Sequence, residues 1–147
     1  MKLASKLKMV RLDSYFKQKM ISSIDFIKTD IEEYDYLALV GCGDLLLNTK
    51  FIQFELGTGA PINGGVVGNK EYFNMFGNDF NLYILHDENH PIWIQSSLDC
   101  DLLILDEPTK TLVEEFNNTG FGFNIVAINK KVNLLHTTLR TEALNVD

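Results

Sequence analysis

The sequence predicts an α+β domain, a largely antiparallel sheet packed with N-terminal helices and one late helix. Two patterns carry this. Apolar residues recur at spacings of three and four through the first forty positions, and they alternate at spacing two in segments from Phe51 onward. A third observation separates the two regimes: six of the ten glycines fall between Gly57 and Gly77, where turns are expected. With 147 residues, 46% of them hydrophobic, the chain fits a single domain, 1–147, able to bury a core.

Leu3, Leu7 and Val10, then Phe16, Met20, Ile24 and Ile27, share one helical face, which predicts a long amphipathic N-terminal helix with a break near Ser22-Ser23. Such a basic helix can lie on a membrane or act as a targeting peptide. Packing on the protein's own core is the simpler reading.

The stretch IEEYDYLALVGCGDLLL, Ile31–Leu47, poses the main question, because Gly41-Cys42-Gly43 has the look of a cofactor loop. Such a loop needs a strand before the glycines and a helix after them. Only Asp44 to Lys50 separate them from Phe51–Leu56, which alternates as a strand, and that gap is too short for a crossover helix. A second helix accounts for more residues. Thr29 or Asp30 caps it, with Glu32 or Glu33 completing a capping box. Glu32, Glu33 and Asp35 complement the dipole, and Gly41 stops it.

Beyond the glycine-rich excursion, NLYILHDENHPIWIQSS reads as a hairpin with HDENHP at its tip and Ile92-Trp93-Ile94 in its second strand. Leu102–Leu105 reads as a further strand. Asp106-Glu107-Pro108 then opens a helix that ends at Asn117, Asn118 and Gly120, and residues 121–128 form a last strand. The tail after 129 is not assigned.

The net charge of −7 is unevenly spread. Residues 1–19 hold six basic side chains against one acidic, and the remainder holds seven against nineteen. An acidic body repels nucleic acid and attracts basic protein surfaces. No run approaches the length of a membrane span, and no secretory signal is evident. Cys42 and Cys100 have no metal-ligand spacing and are expected to be reduced and buried, which favours a cytoplasmic location.

The search for chemistry gives little. His86 and His90 have a metal-like spacing, but their strand-like flanks make HDENH a solvated hairpin tip. Ser96-Ser97 lack a nucleophile elbow. Glu114-Glu115 are adjacent on a helix and point apart, and the aromatics lack the interleaved basic residues of a nucleic-acid platform.

Three blocks, YDYLALVGCGD, GNDFNLYILHDENHPIWIQSS and LLILDEPTKTLVEEFNN, together resemble the SUKH superfamily of Smi/Knr-like domains. The blocks match its second helix with a glycine stop, its glycine-led strand and hairpin, and its strand with terminal helix. The resemblance implies a non-catalytic protein-binding domain, most often an immunity protein that neutralises a toxin. Charge agrees, since a basic toxin would be drawn to an acidic body. The expected partner-binding residues are Glu32, Glu33, Asp35, Asp44, Glu55, Asp87 and Glu88. No cofactor, metal or nucleic acid is expected, and the sequence does not fix the oligomeric state. The alternative is an enzyme or small-ligand protein using Gly41–Gly43 or Gly57–Gly65.

Overall fold

The structure, a computed structural model, describes residues 8–57, 60–62, 65–87, 90, 101–118, 122–132 and 141–142. Helix α1 spans Leu12–Gln18 and is much shorter than the apolar periodicity predicts. Met20 adopts φ +56, the Ile21 N–H bonds Phe16 O at 2.9 Å, and the Met20 N–H bonds Lys17 O at 3.1 Å. That is a Schellman termination, and it stops the helix before the isoleucines. Ile24–Lys28 is then strand β1. Ile24, Phe26 and Ile27 are bulky at Cβ or aromatic, and their partner β2 turns them into a ladder.

β2 is Thr49–Leu56, and it runs parallel to β1, pairing Phe26 with Phe51 and Ile27 with Ile52. Parallel neighbours need a crossover. Here it consists of a 3-10 turn at Glu32–Tyr34, helix α2 at Asp35–Val40, and a second 3-10 stretch at Gly43–Asn48. The expected second helix therefore exists and is part of the crossover, lying before the glycines rather than after them.

Gly41-Cys42-Gly43 closes α2, as expected, though with different geometry. Gly41 remains right-handed, at φ −65 and ψ −15, and Gly43 takes the left-handed turn at φ +53. A β-carbon on Gly43 would sit 2.9 Å from Asp13 Oδ2. Gly43→Ala is therefore expected to lower stability by about 1 kcal/mol or more, read as a fall in the urea midpoint; an unchanged midpoint would contradict the strain assigned to this turn.

β3 (Ala60–Ile62) and β4 (Gly65–Val67) form a small separate hairpin, and α3 (Asn69–Phe76) follows it. The main sheet continues with β5 (Phe80–Leu85), β6 (Leu102–Ile104), β7 (Phe123–Asn129) and β8 (Thr141–Glu142), with α4 (Glu107–Asn118) between β6 and β7. Asp106 caps α4 by accepting a bond from the Thr109 N–H at 3.0 Å. The second strand expected at Ile92-Trp93-Ile94 lies outside the described residues, and the observed partner of β5 on that side is β6.

The six strands stand in the order β1-β2-β7-β5-β6-β8. β2–β7, β7–β5 and β5–β6 are antiparallel, and β1–β2 and β6–β8 parallel, so the fold is α+β on a mixed, mainly antiparallel sheet. One face carries Ile52, Phe54, Leu56, Ile84, Leu103 and Ile125, buried together with Leu39 of α2, Tyr72 and Phe76 of α3 and Val113 of α4. Phe54 lies at its centre, stacked on Tyr72 at 5.2 Å and on Phe76 at 5.1 Å. The other face holds a smaller cluster of Tyr83, Leu102 and Ile128. Among the described residues, no helix is long and apolar enough to cross a membrane.

Candidate functional site

The strand directions decide where a site can form. β1, β2 and β5 point the same way, so the carboxyl ends of all three share one edge of the sheet with the amino end of β7. In open α/β sheets, ligands bind at that edge, where the chain turns from strand into helix and leaves side chains and backbone groups free.

At the end of β1 the Thr29 N–H bonds Gln53 O at 2.9 Å and extends the ladder past Lys28. The chain then turns through Asp30, Ile31 and Glu32 into α2. Glu32 holds φ +59, an unusual left-handed value for a residue with a side chain. Asp35 at the start of α2 is fully buried, and its Oδ2 accepts the Ile31 N–H at 3.2 Å. The expected capping box is absent; Asp30 instead pairs with Lys28 at 3.0 Å.

Glu55 lies near the end of β2, at the same edge of the sheet, on the strand face opposite Phe54. Burial, followed by the like charges of Glu32, Asp35 and Asp30, pushes its carboxyl above the usual carboxylate range. Tyr72 is pushed up to about 12, first by burial and then by Asp35, so its hydroxyl stays neutral. Gly122, just before β7, leaves room for Glu55: a β-carbon there would lie 2.7 Å from Glu55 Oε1. Gly122→Ala is expected to displace this carboxylate and reduce the site's activity by at least tenfold while leaving the thermal midpoint nearly unchanged. Full activity in this variant would remove Glu55's present position from the argument.

Of the residues expected from the sequence, Glu32, Asp35 and Glu55 lie at this edge of the sheet. Glu33 lies in the backbone of the same 3-10 turn. Asp87 is exposed just after β5 at the same edge. Asp44 is exposed in the 3-10 stretch before β2, at the opposite edge, and Glu88 lies outside the described residues. Gly41–Gly43 is also at the wrong edge for a cofactor loop, whereas Gly57 follows β2 directly at the carboxyl edge. Thr29, Asp30, Tyr72 and Gly122 were missed. The signal for the first two was a strand running into Thr-Asp ahead of a helix, and it was lost when β1 was read as helix.

His86 and His90 do not converge as ligands. His86 is exposed, with its N–H on Asp101 O at 3.0 Å, and His90 packs its ring 4.2 Å from that of Phe123. Burial pushes the His90 imidazole down. Among the described residues no cluster of metal-ligating side chains occurs. Cys42 is buried and free. A cleft of about 710 Å³ opens at the opposite edge between Ser22, Thr49, Lys50 and Lys131. Three of its polar side chains bond within the chain: Thr49 Oγ1 bonds Leu45 O at 3.0 Å, Asn129 Nδ2 bonds Thr49 O at 3.1 Å, and Lys50 pairs with Asp25 at 2.6 Å.

A parallel pair joined by a helical crossover, with a polar turn at its carboxyl edge, sits within the α+β sheet. The chain matches the Methyltransferase FkbM domain over residues 5–91, more than half its length, and belongs to that family. No curated protein and no solved structure matches it significantly. These findings correct the resemblance to SUKH domains. The block YDYLALVGCGD lies inside the methyltransferase match and is the crossover of a parallel pair. The expectation of a non-catalytic immunity protein or toxin inhibitor is overturned with it, and the alternative of an enzyme is the better supported.

Proposed function

We propose that the chain works in methyl transfer to a small molecule, with the carboxyl edge of β1 and β2 receiving the methyl acceptor. The family match carries this reading, since it runs from before α1 to beyond β5 and so contains Thr29, Asp30, Glu32, Asp35, Glu55 and Tyr72. S-adenosylmethionine is the donor that such a family implies. The described residues do not fit it. Among the described residues, the paired glycines beside a helix, Gly41 and Gly43, sit at the amino edge. No step is therefore routed through the donor, and the edge is assigned to the acceptor.

Methylation of a hydroxyl or amine requires its proton to leave. Glu55 is the candidate base. It is half-buried, its pKa is raised above the usual carboxylate range by burial and by its acidic neighbours, and Gly122 leaves room for its carboxylate. The neutral Tyr72 hydroxyl supplies a hydrogen-bond donor nearby.

The direct test incubates the purified protein with isotopically labelled S-adenosylmethionine and a fractionated small-molecule extract. Label entering an organic product in proportion to protein supports the reading. Absence of transfer from every fraction, with the folded protein verified, counts against it.

A further inference from the structure

The cleft of about 710 Å³ at the amino edge takes no part in the methyl-transfer reading. Thr49 and Asn129, both buried, belong to its wall, and they occupy the hydrogen-bond acceptors there. Asn129 Nδ2 donates to Leu47 O at 3.0 Å and to Thr49 O at 3.1 Å, and Thr49 Oγ1 donates to Leu45 O at 3.0 Å. Asn129 Oδ1 accepts the Lys131 N–H at 3.0 Å.

The groups left over are donors. Ser22, Ser23, Asn48 and Lys131 line the cleft, and among the described residues their side chains have no hydrogen bond or ion pair. Lys50 adds a second ammonium, held by Asp25 in a pair whose side chains are 59% and 83% exposed. Such an exposed pair contributes little and is readily exchanged for a better anion. Among the described residues no carboxylate lines the cleft, which sets it apart in a chain of net charge −7. Asp13 and Asp44 lie in an adjoining cleft of about 490 Å³ that shares Ser22 and Asn48 with this one. They direct the anionic end of a ligand away from themselves, toward Lys50 and Lys131.

Two ammonium groups, two hydroxyls and an amide without acceptors match a doubly charged group with several acceptor oxygens. A cation would be repelled by the lysines, and a carboxylate brings one charge and two oxygens to five donor groups. We infer that this cleft binds the phosphate group of a small phosphorylated molecule. The phosphate lies between Lys50 and Lys131, its oxygens accept from Ser22, Ser23 and Asn48, and the carbon skeleton rests on Leu47 and Val132. The volume suits a ligand of that size. The site stands at the opposite edge from Glu55 and holds whether or not the chain transfers methyl groups.

The test uses the full chain and three probes of similar shape, glycerol 3-phosphate, glycerate and glycerol, at constant ionic strength and a pH where the phosphate is doubly charged. Amide chemical shifts are followed by NMR. Glycerol 3-phosphate is expected to give saturable shifts at Ser22, Ser23, Asn48, Lys50 and Lys131, glycerate to bind more weakly, and glycerol to give none. Lys131→Ala should weaken the phosphate response at least tenfold and Lys50→Ala severalfold. Lys28→Ala removes the same charge at the opposite edge and should leave the response unchanged. All three lysines are exposed, so the variants keep the fold. Absence of saturable shifts at these positions overturns the proposal, as does glycerate binding as tightly as glycerol 3-phosphate. Equal weakening by Lys28→Ala and Lys131→Ala would reduce the response to overall charge and overturn it too.

Discussion

Glu55→Gln is expected to lower methyl transfer by about 10²–10⁴-fold, the usual contribution of a positioned general base. The substitution keeps size and hydrogen-bonding capacity and removes only the ability to take a proton. Stability should not fall. Glu55 has a raised folded pKa, so its contribution to stability is fully present below its unfolded value and is lost as pH rises through the folded one. Above the raised value the wild-type carboxylate is charged among Glu32, Asp35 and Asp30, and the neutral amide relieves that repulsion. Loss of turnover with an equal or higher thermal midpoint is the combination that identifies a proton acceptor. The pH profile provides a second reading: in the wild type the rate should climb as pH rises through the raised value, and in the variant that limb should vanish. A variant that keeps its rate and its acid limb would remove Glu55 from catalysis.

Phe54→Ala is expected to cost about 3–5 kcal/mol, the range for a large aromatic removed from a packed core. Phe54 is fully buried on β2 and stacks on both Tyr72 and Phe76. Its loss removes apolar burial and leaves two rings without their shared partner. A denaturant titration monitored by far-UV circular dichroism measures it. A cost below about 1 kcal/mol would mean that α3 collapses into the space and that the stack is not the centre of the core. Because α3 also carries Tyr72 to the acidic edge, a partly collapsed variant should lose activity before it loses helix content.

The parts of the fold that were legible in the sequence are those where one local pattern ruled. Phe51–Leu56 alternates cleanly and is a strand with its even positions buried. Leu102–Ile104 and the helix opened by Asp106 and Pro108 behave the same way, since their signals lie in neighbouring residues. Ile24–Lys28 was misread because Phe16, Met20, Ile24 and Ile27 also satisfy a helical spacing. What separates helix from strand there is the left-handed turn at Met20 and the ladder to β2, and the ladder depends on residues about 25 positions away.

That single misreading hid the site. With β1 taken as helix, no parallel pair was visible and Thr29-Asp30 appeared as a cap. The acidic residues were then left to be interpreted by charge alone, which led toward a basic protein partner. Glu32, Asp35 and Glu55 were grouped by charge, as contacts for a protein partner. Their common location follows from a crossover that brings the ends of two strands together, and net charge carries no record of it. Gly122 lies outside any local motif, because its role is to leave room for a side chain on a strand reached only through the sheet.

The position of β7 has a further consequence, for the order in which the molecule can assemble. This strand is inserted between β2 and β5, so that Phe54 pairs with Ile125 and Leu82 with Ala127. Until the polypeptide has been made through Asn129, the two halves of the sheet have no strand to join them, and the apolar surfaces of β2 and β5 must wait. Long loops must close before those pairings contribute, which makes folding slow relative to a helical protein of this size and leaves bare strand edges during synthesis. A ribosome paused before that point would hold a chain with its acidic edge already spelled out and no sheet on which to present it.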